Sequence, residues 1–319
     1  MMKKAAFAII LLTAIIPFLS FSTMKVQAQS GLRLQLSEAD LSQFPKITLY
    51  LDVYDQQGNF ISDLTLRNVR LIEDGQERIV NETFLTQPGL DTIVAINLSP
   101  TLSNQTAGGS TRFQDLYSAL LNWINYLPVT SEMDRYTLTG NEGVLVEREK
   151  ERSAFIKALQ GYQPNLFNLK PTLDSLKSAL DIAGRGNPIQ HGKQAIFYVT
   201  ALPVEGELKK IPAFIQWANQ LKIPIFVWLV AADASENSSA AVALAELAQK
   251  TGGKFFLYGE SKSVPNPEEY FMPLRYSYRV RYTLAVKKSG SHRLSVQVQR
   301  GDQSANSNEV EFAISLTNP

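Results

Sequence analysis

The chain contains no cysteine and only two histidines, His191 and His292, in 319 residues. Without cysteine the protein can form no disulfide, no thiol nucleophile and no cysteine-based zinc or iron–sulfur site. Two histidines leave almost no material for a histidine-rich metal site or a Ser-His-Asp triad, and we expect both to lie in surface loops. The composition therefore argues against an enzyme and predicts domains that are stable through packing alone.

An excess of charge of one sign is also missing. Lysine and arginine total 31 residues, aspartate and glutamate total 30, and no basic stripe runs along the chain. A nucleic-acid-binding surface needs clustered positive charge, so we expect no nucleic-acid partner. The segment from Gly108 to Thr111 lacks the lysine and the spacing of a nucleotide-binding loop.

The first 28 residues have the features of a secretory signal. Two lysines precede an apolar run over residues 5–21, and the sequence VQA at residues 26–28 provides a small-x-small cleavage site. We expect the mature chain to start near Gln29 and to be extracytoplasmic, whether secreted, periplasmic or at the cell surface. The apolar run is also long enough for an uncleaved anchor. Contact with a membrane is therefore expected only through this segment or an anchor beyond Pro319.

Two flanking segments, residues 31–88 and 268–319, show the alternation of apolar and polar residues that is typical of half-buried strands. The pair Asp74-Gly75 predicts a hairpin turn, because such turns need positive φ angles. The first segment contains about four strands and the second three, too few in either case to bury a two-sided core. We therefore predict one antiparallel β-sandwich built from both flanks; two separate β caps are the alternative.

Residues 89–262 have a different pattern, in which apolar runs alternate with amphipathic helices. Residues 111–127 carry apolar side chains at the helical spacing, and Thr111 with Gln114 fits a capping box. Three apolar runs are typical of buried parallel strands: residues 93–96, 194–200 and 223–230. The predicted fold class is therefore α/β, with a doubly wound, mostly parallel sheet inserted in the β-sandwich.

Short polar side chains follow the first of these apolar runs. Asn97, Ser99 and Thr101 come directly after it. Open α/β sheets bind ligands outside the carboxyl ends of their strands, so this loop is the first candidate for a binding site. Hydroxyl and amide groups can ligate an ion, and they also bond their own backbone in turns; the residue types leave both interpretations open.

The central segment resembles the von Willebrand factor type A domain over roughly residues 90–258. The best local signature is the sequence LAELAQKTGG at residues 244–253, which is similar to the last helix and turn of that family, and the order of elements also fits. The resemblance implies a Rossmann-like α/β fold. The N-terminal flank is similar to that of bacterial exported members in its DQQG at residues 55–58, Leu64, Val69 and EDG at residues 73–75.

Members of this family usually hold a divalent cation at a metal-ion-dependent adhesion site, and its pattern is only partly present. The family has Asp-x-Ser-x-Ser after the first strand, a Thr on a second loop and an Asp after the next central strand. By resemblance, Ser99 and Thr172 match and Thr101 supplies a substitute hydroxyl. Asn97 and Ala201 stand where the family has its two carboxylates. Because Mg²⁺ is usually held by carboxylates, the resemblance implies a degenerate, empty site.

The sequence therefore predicts an exported, non-enzymatic interaction or scaffold protein that binds protein partners without a cofactor. The alternative is a metal-dependent adhesion module in which Mg²⁺ or Ca²⁺ occupies an atypical site. In that case an acid at the edge of the site would have to contribute a ligand: Asp174, Glu205 or Asp233.

Three further features are expected to be structural. The acid pairs Asp52 with Asp55 and Glu268 with Glu269 are predicted to be solvated rather than catalytic. An aromatic-rich strand over residues 270–282 is predicted to bury one face and to expose the other.

Overall fold

The computed structural model describes residues 31–106, 108–127, 131–259, 263–284 and 289–315. The predicted signal at residues 1–28 and the end of the chain at Pro319 lie outside these ranges. The described residues form a mixed α/β structure with one six-stranded sheet that contains parallel strands and two five-stranded antiparallel sheets. None of the helices within these ranges has the length and hydropathy that a membrane span requires.

The N-terminal flank contributes six strands: β1 (Arg33–Leu36), β2 (Asp40–Gln43), β3 (Lys46–Tyr54), β4 (Val69–Glu73), β5 (Gln76–Arg78) and β6 (Val80–Thr86). The central segment follows with six strands and six helices: β7 (Leu90–Asn97), α1 (Arg112–Asn125), β8 (Arg135–Gly140), β9 (Gly143–Glu149), α2 (Arg152–Gly161), α3 (Asp174–Ala183), β10 (Lys193–Thr200), α4 (Glu205–Leu208), α5 (Ile211–Leu221), β11 (Ile225–Val230), α6 (Ser239–Lys250) and β12 (Phe255–Tyr258). The C-terminal flank completes the structure: α7 (Glu268–Phe271), β13 (Ser277–Thr283), β14 (Gly290–Arg300), β15 (Gln303–Asn306) and β16 (Val310–Ile314).

The two antiparallel sheets each combine strands from both ends of the chain. One has the order β1-β3-β13-β6 with β2 beside β3, and the other has the order β15-β14-β4-β5 with β16 beside β14. Leu49 of β3 lies opposite Val280 of β13, and Leu71 of β4 lies opposite Val296 of β14. These four side chains are fully buried in one apolar core that both sheets share. We call strands β1–β6 and β13–β16 the β unit.

Details of the β unit differ from the sequence interpretation where polar residues form edges. The strands β2 and β15 lie in segments with little apolar alternation, because edge strands need only backbone pairing and not a buried face. The edge strand β1, by contrast, buries Leu36 in the shared core. Residues 60–64 lie between β3 and β4 and form no strand of their own. They contribute only an isolated bridge between Phe60 and Tyr54.

The six-stranded sheet has the order β12-β11-β10-β7-β8-β9, in which only the edge strand β9 is antiparallel to its neighbour. All eight residues of the central strand β7 are buried. Its side chains alternate between two apolar cores, one containing Val94 and Ile96 and the other containing Ile93 and Ala95. Helices α1 and α2 pack on the first face and α3, α5 and α6 on the second, so the sheet is covered on both sides. We call β7–β12 with α1–α6 the α/β unit.

Local sequence explains where the helix after β7 begins. Oγ1 of Thr111 accepts a hydrogen bond from the backbone N–H of Gln114, and Oε1 of Gln114 accepts one from the backbone N–H of Thr111. This reciprocal cap satisfies two of the four free N–H groups of the first helical turn. The predicted capping box and amphipathic helix are confirmed.

Three predictions about the junction of the two units are wrong. Glu268 is buried rather than solvated, because it pairs with Arg275 and accepts a hydrogen bond from the indole of Trp123. Asp52 pairs with Lys193 at 2.8 Å rather than facing solvent. Residues 270–276 are not strand: Tyr270 belongs to α7, and β13 begins only at Ser277.

Candidate functional site

The candidate site lies where the two central parallel strands end. Asn97, the last residue of β7, is paired in register with Thr200, the last residue of β10. The chain leaves β7 towards β8 on one side and leaves β10 towards β11 on the other. Such a reversal opens a crevice at the carboxyl edge of an α/β sheet, so the sequence-predicted residues lie at the expected place.

Asn97 is buried and uses both ends of its side-chain amide. Its Nδ2 donates to Oγ1 of Thr200 at 2.8 Å, and its Oδ1 accepts from Nδ2 of Asn141 at 3.1 Å. Oγ1 of Thr200 in turn donates to the carbonyl oxygen of Ala201 at 2.6 Å. The backbone N–H of Ala201 donates to the carbonyl of Asn97 at 2.9 Å. The ends of the two strands are therefore joined by neutral hydrogen bonds.

Asn141 is the residue of this network that the sequence interpretation missed. It lies between β8 and β9, and its Oδ1 accepts the backbone N–H of Leu98 at 2.7 Å. Its Nδ2 is also within 3.2 Å of the carbonyl of Leu98 and within 3.3 Å of the carbonyl of Lys170. The available signal was its position after the strand that neighbours β7.

The hydroxyl residues form two separate pairs. Oγ atoms of Ser99 and Thr101 lie 2.7 Å apart, with Ser99 buried and Thr101 exposed. Oγ1 of Thr172 donates to Oδ2 of Asp174 at 2.9 Å. The structure therefore brings Asn97 and Ala201 together and pairs Ser99 with Thr101. Thr172 is bonded instead to an acid of its own loop.

The side chains at this crevice do not suit a divalent cation as ligands. Mg²⁺ and Ca²⁺ are hard ions whose lost hydration is offset by charged carboxylates, and the crevice offers an amide and hydroxyls that already bond one another. Ala201 is completely buried, so the position resembling the family's second carboxylate faces packed protein. The acids considered as substitutes are dispersed: Asp174 is bonded to Thr172, Glu205 is exposed, and Asp233 starts a short 3₁₀ helix after β11.

Two exposed apolar side chains flank this neutral crevice. Phe167 is 78% exposed and belongs to a short 3₁₀ helix (Leu166–Asn168) that packs against the 3₁₀ helix Pro100–Ser103 after β7. Val204 is 50% exposed, and its backbone N–H donates to the carbonyl of Pro171 at 3.2 Å, beside Thr172. We call the surface formed by Thr101, Phe167, Thr172 and Val204 the carboxyl-edge surface.

Comparison of the chain with models of known protein families and with curated proteins finds no match.

Proposed function

We propose that the chain is an exported, non-catalytic protein-binding protein that captures its partner through the carboxyl-edge surface without a metal ion. In this proposal, residues 89–262 form a von Willebrand type A-like domain, inserted into a β-sandwich made from residues 31–88 and 268–319. The pairing of β3 with β13 and of β4 with β14 supports the insertion. The helix–turn–strand run through α6, Gly252 and β12 supports the family resemblance.

The observation that carries the proposal is the closed neutral network of Asn97, Thr200 and Asn141 beside exposed apolar side chains. A crevice whose polar atoms are bonded to one another offers neither a nucleophile nor a charged ion cradle. Exposed aromatic side chains such as Phe167 are enriched in the cores of protein interfaces, where ordinary hydrogen bonds accompany them. Protein binding by apolar contact and ordinary hydrogen bonds therefore suits this surface better than catalysis.

The test is capture of extracytoplasmic proteins of the source organism on immobilised mature chain, with and without EDTA. We expect one set of partners to be retained in EDTA and to be lost when Phe167→Ser and Val204→Ser are combined. The control is Ile79→Ser, which removes an even more exposed apolar side chain, 85% exposed, between β5 and β6 of the β unit. Capture that EDTA abolishes and Mg²⁺ or Ca²⁺ restores would instead establish metal-dependent adhesion. Equal capture by all variants would exclude the carboxyl-edge surface.

A further inference from the structure

A cluster of two carboxylates and one imidazole lies in the β unit, away from the carboxyl edge. Glu73 ends β4, Asp74 follows it in the hairpin turn, and His292 lies on β14. The Nδ1 atom of His292 is 2.7 Å from Oδ2 of Asp74 and 3.9 Å from Oε1 of Glu73. Within the described ranges it is the one group of three Asp, Glu or His side chains whose ligand atoms all lie within 4.8 Å of one another.

Strand register explains why these distant residues meet. Glu73 lies directly opposite Leu294, and His292 lies two residues before Leu294 on the same strand. Residues that are opposite one another or two apart project from the same face of a sheet. Because Leu294 faces the apolar core, Glu73 and His292 lie at the edge of that core. Glu73 is fully buried there and His292 is 9% exposed.

The cluster is not saturated by the protein's own groups. Oε2 of Glu73 accepts from Nε of Arg78 at 2.6 Å, but Oε1 has only the hydroxyl of Tyr282, at the limiting distance of 3.5 Å. Nε2 of His292 is buried without a hydrogen-bond partner. Buried polar atoms are normally well paired, so a fully buried carboxylate oxygen without a close donor, facing an imidazole and a second carboxylate, is unusual for a purely structural ion pair.

The ligand atoms are oriented and reachable from solvent. The ring of His292 stacks on Phe312, with centroids 5.3 Å apart, which directs Nδ1 towards the carboxylates. Asp74 is exposed and also lines a cleft, with Gly75, Ser291 and Glu311, on the solvent-facing side of the sheet, opposite the face that carries Glu73 and His292. Solvent therefore reaches the cluster at Asp74.

We propose that Nδ1 of His292, Oδ2 of Asp74 and Oε1 of Glu73 bind one divalent cation of the zinc class. One imidazole and two carboxylates suit zinc better than Mg²⁺ or Ca²⁺, and a water from solvent completes four-coordination. Metal–ligand bonds of about 2.0–2.1 Å place tetrahedral ligands about 3.3 Å apart. The contact between His292 and Asp74 must therefore lengthen by about 0.6 Å, which the exposed hairpin turn allows. When the ion occupies Nδ1 of the neutral imidazole, the single ring proton is carried by Nε2.

The test is titration of tag-free, chelator-treated mature chain with zinc chloride by isothermal calorimetry at neutral pH. We expect one saturable site for zinc and no binding of Mg²⁺ or Ca²⁺ at this cluster. His292→Gln and Asp74→Asn should each weaken zinc binding by about tenfold or more.

The chain supplies a matched control. His191 is its only other histidine and also faces an aspartate, with Nε2 3.3 Å from Oδ2 of Asp40, but no second carboxylate accompanies that pair. His191→Gln should bind zinc as the unmodified chain does. Absence of a saturable site at millimolar zinc, or equal binding by Asp74→Asn and the unmodified chain, would overturn the proposal. Because Asp74 is exposed, we expect Asp74→Asn to fold, and its zinc binding tests the proposal even if His292→Gln fails to fold.

Discussion

Nδ2 of Asn97 lies 2.8 Å from Oγ1 of Thr200, across the ends of two adjacent parallel strands. This bond is the centre of the candidate site, because it joins β7 to β10 at the point where their connections diverge. A carboxylate at position 97 could accept the hydroxyl proton of Thr200, but it could not donate in return. The amide therefore sets the neutral character of the crevice.

Placing carboxylates at positions 97 and 201 should create an ion site. The double variant Asn97→Asp with Ala201→Asp is expected to be less stable than the unmodified chain in EDTA, because position 201 is completely buried. Mg²⁺ should raise its melting temperature, since an ion at 100 times its dissociation constant stabilises by about 2.7 kcal/mol. The unmodified chain should not respond.

Differential scanning fluorimetry with and without millimolar Mg²⁺ measures this effect. The control is the single variant Ala201→Asn, in which Asn97 is unchanged. It adds bulk at position 201 without charge, and its melting temperature should not respond to Mg²⁺. A response by the unmodified chain would contradict the metal-independent function. Lack of any response in the double variant would show that the crevice does not have the geometry of a cation site.

Removing the side chain of Asn141 should loosen the carboxyl edge. Asn141→Ala leaves the backbone N–H of Leu98 and Oδ1 of Asn97 without their partners, at a cost of about 1–3 kcal/mol in unfolding free energy. Urea unfolding measures the change. Asn59→Ala, at an exposed turn where the side chain bonds only Asp55, is the control and should cost about 0.5 kcal/mol or less. Equal losses would mean that Asn141 is not the centre of a network.

The ion cluster at Arg275 should be one of the most sensitive positions of the fold. Arg275 pairs with Asp134 at 2.8 Å and with Glu268, and all three side chains are at most 8% exposed. Burial alone would lower the pKa of Arg275, but Glu268 and Asp134 raise it above its usual value. Arg275→Met leaves two buried carboxylates uncompensated, and we expect a loss of about 3–5 kcal/mol.

Chemical denaturation with a matched surface variant checks this prediction. Arg300 pairs with Asp63 at 2.8 Å, but both side chains are about half exposed. Arg300→Met should therefore cost about 1 kcal/mol or less. A loss at Arg275 no larger than that at Arg300 would contradict the buried-cluster interpretation.

Asp91 should make the protein less stable as the pH rises. It is completely buried at the start of β7, and burial raises its pKa above the ordinary value despite a hydrogen bond from Gln194 and the charge of Arg148. The folded state therefore holds the proton more tightly than the unfolded state, whose pKa is about 3.9. The destabilisation is absent below that pH and grows as Asp91 ionises at higher pH.

Melting temperatures of the unmodified chain and of Asp91→Asn, compared across this range, test the sign. The difference in favour of Asp91→Asn should widen from about pH 4 upwards, because the amide carries no charge to bury. The exposed carboxylate Asp302 provides the control Asp302→Asn, for which the difference should stay nearly constant. A gap that narrows with rising pH would contradict the predicted sign.

The sequence predicted those features that depend on neighbours along the chain. The apolar run of β7, the alternation of β3 and the cap at Thr111 are local patterns, and all three are present in the structure. The position of Asn97 at a strand end was predictable for the same reason. Sequence periodicity reports which face of an element is apolar, and packing then follows.

Features that depend on distant partners were not predictable in this way. The sequence around Glu268 predicts a solvated acid, whereas the structure places Arg275 beside it and Asp134 beside Arg275. Asp134 is 141 residues from Arg275. His292 was expected in a surface loop, yet strand register carries it to the margin of the core beside Glu73. A charged side chain is buried when a partner offsets its desolvation, and nothing in the adjacent sequence identifies that partner.

The pairing of β3 with β13 imposes an order of assembly on the protein. Arg281 bonds to Thr48 across 233 residues, so β3 lacks its neighbour β13 until the α/β unit between them has been synthesised. A folded α/β unit brings the two flanking segments close together. Its Asp134 bonds both to Leu90, at the start of β7, and to Arg275, two residues before β13. Closing the β unit then costs far less entropy than joining the ends of a free loop. The β unit, whose strands β1–β6 precede the α/β unit in the chain, is thus completed after it.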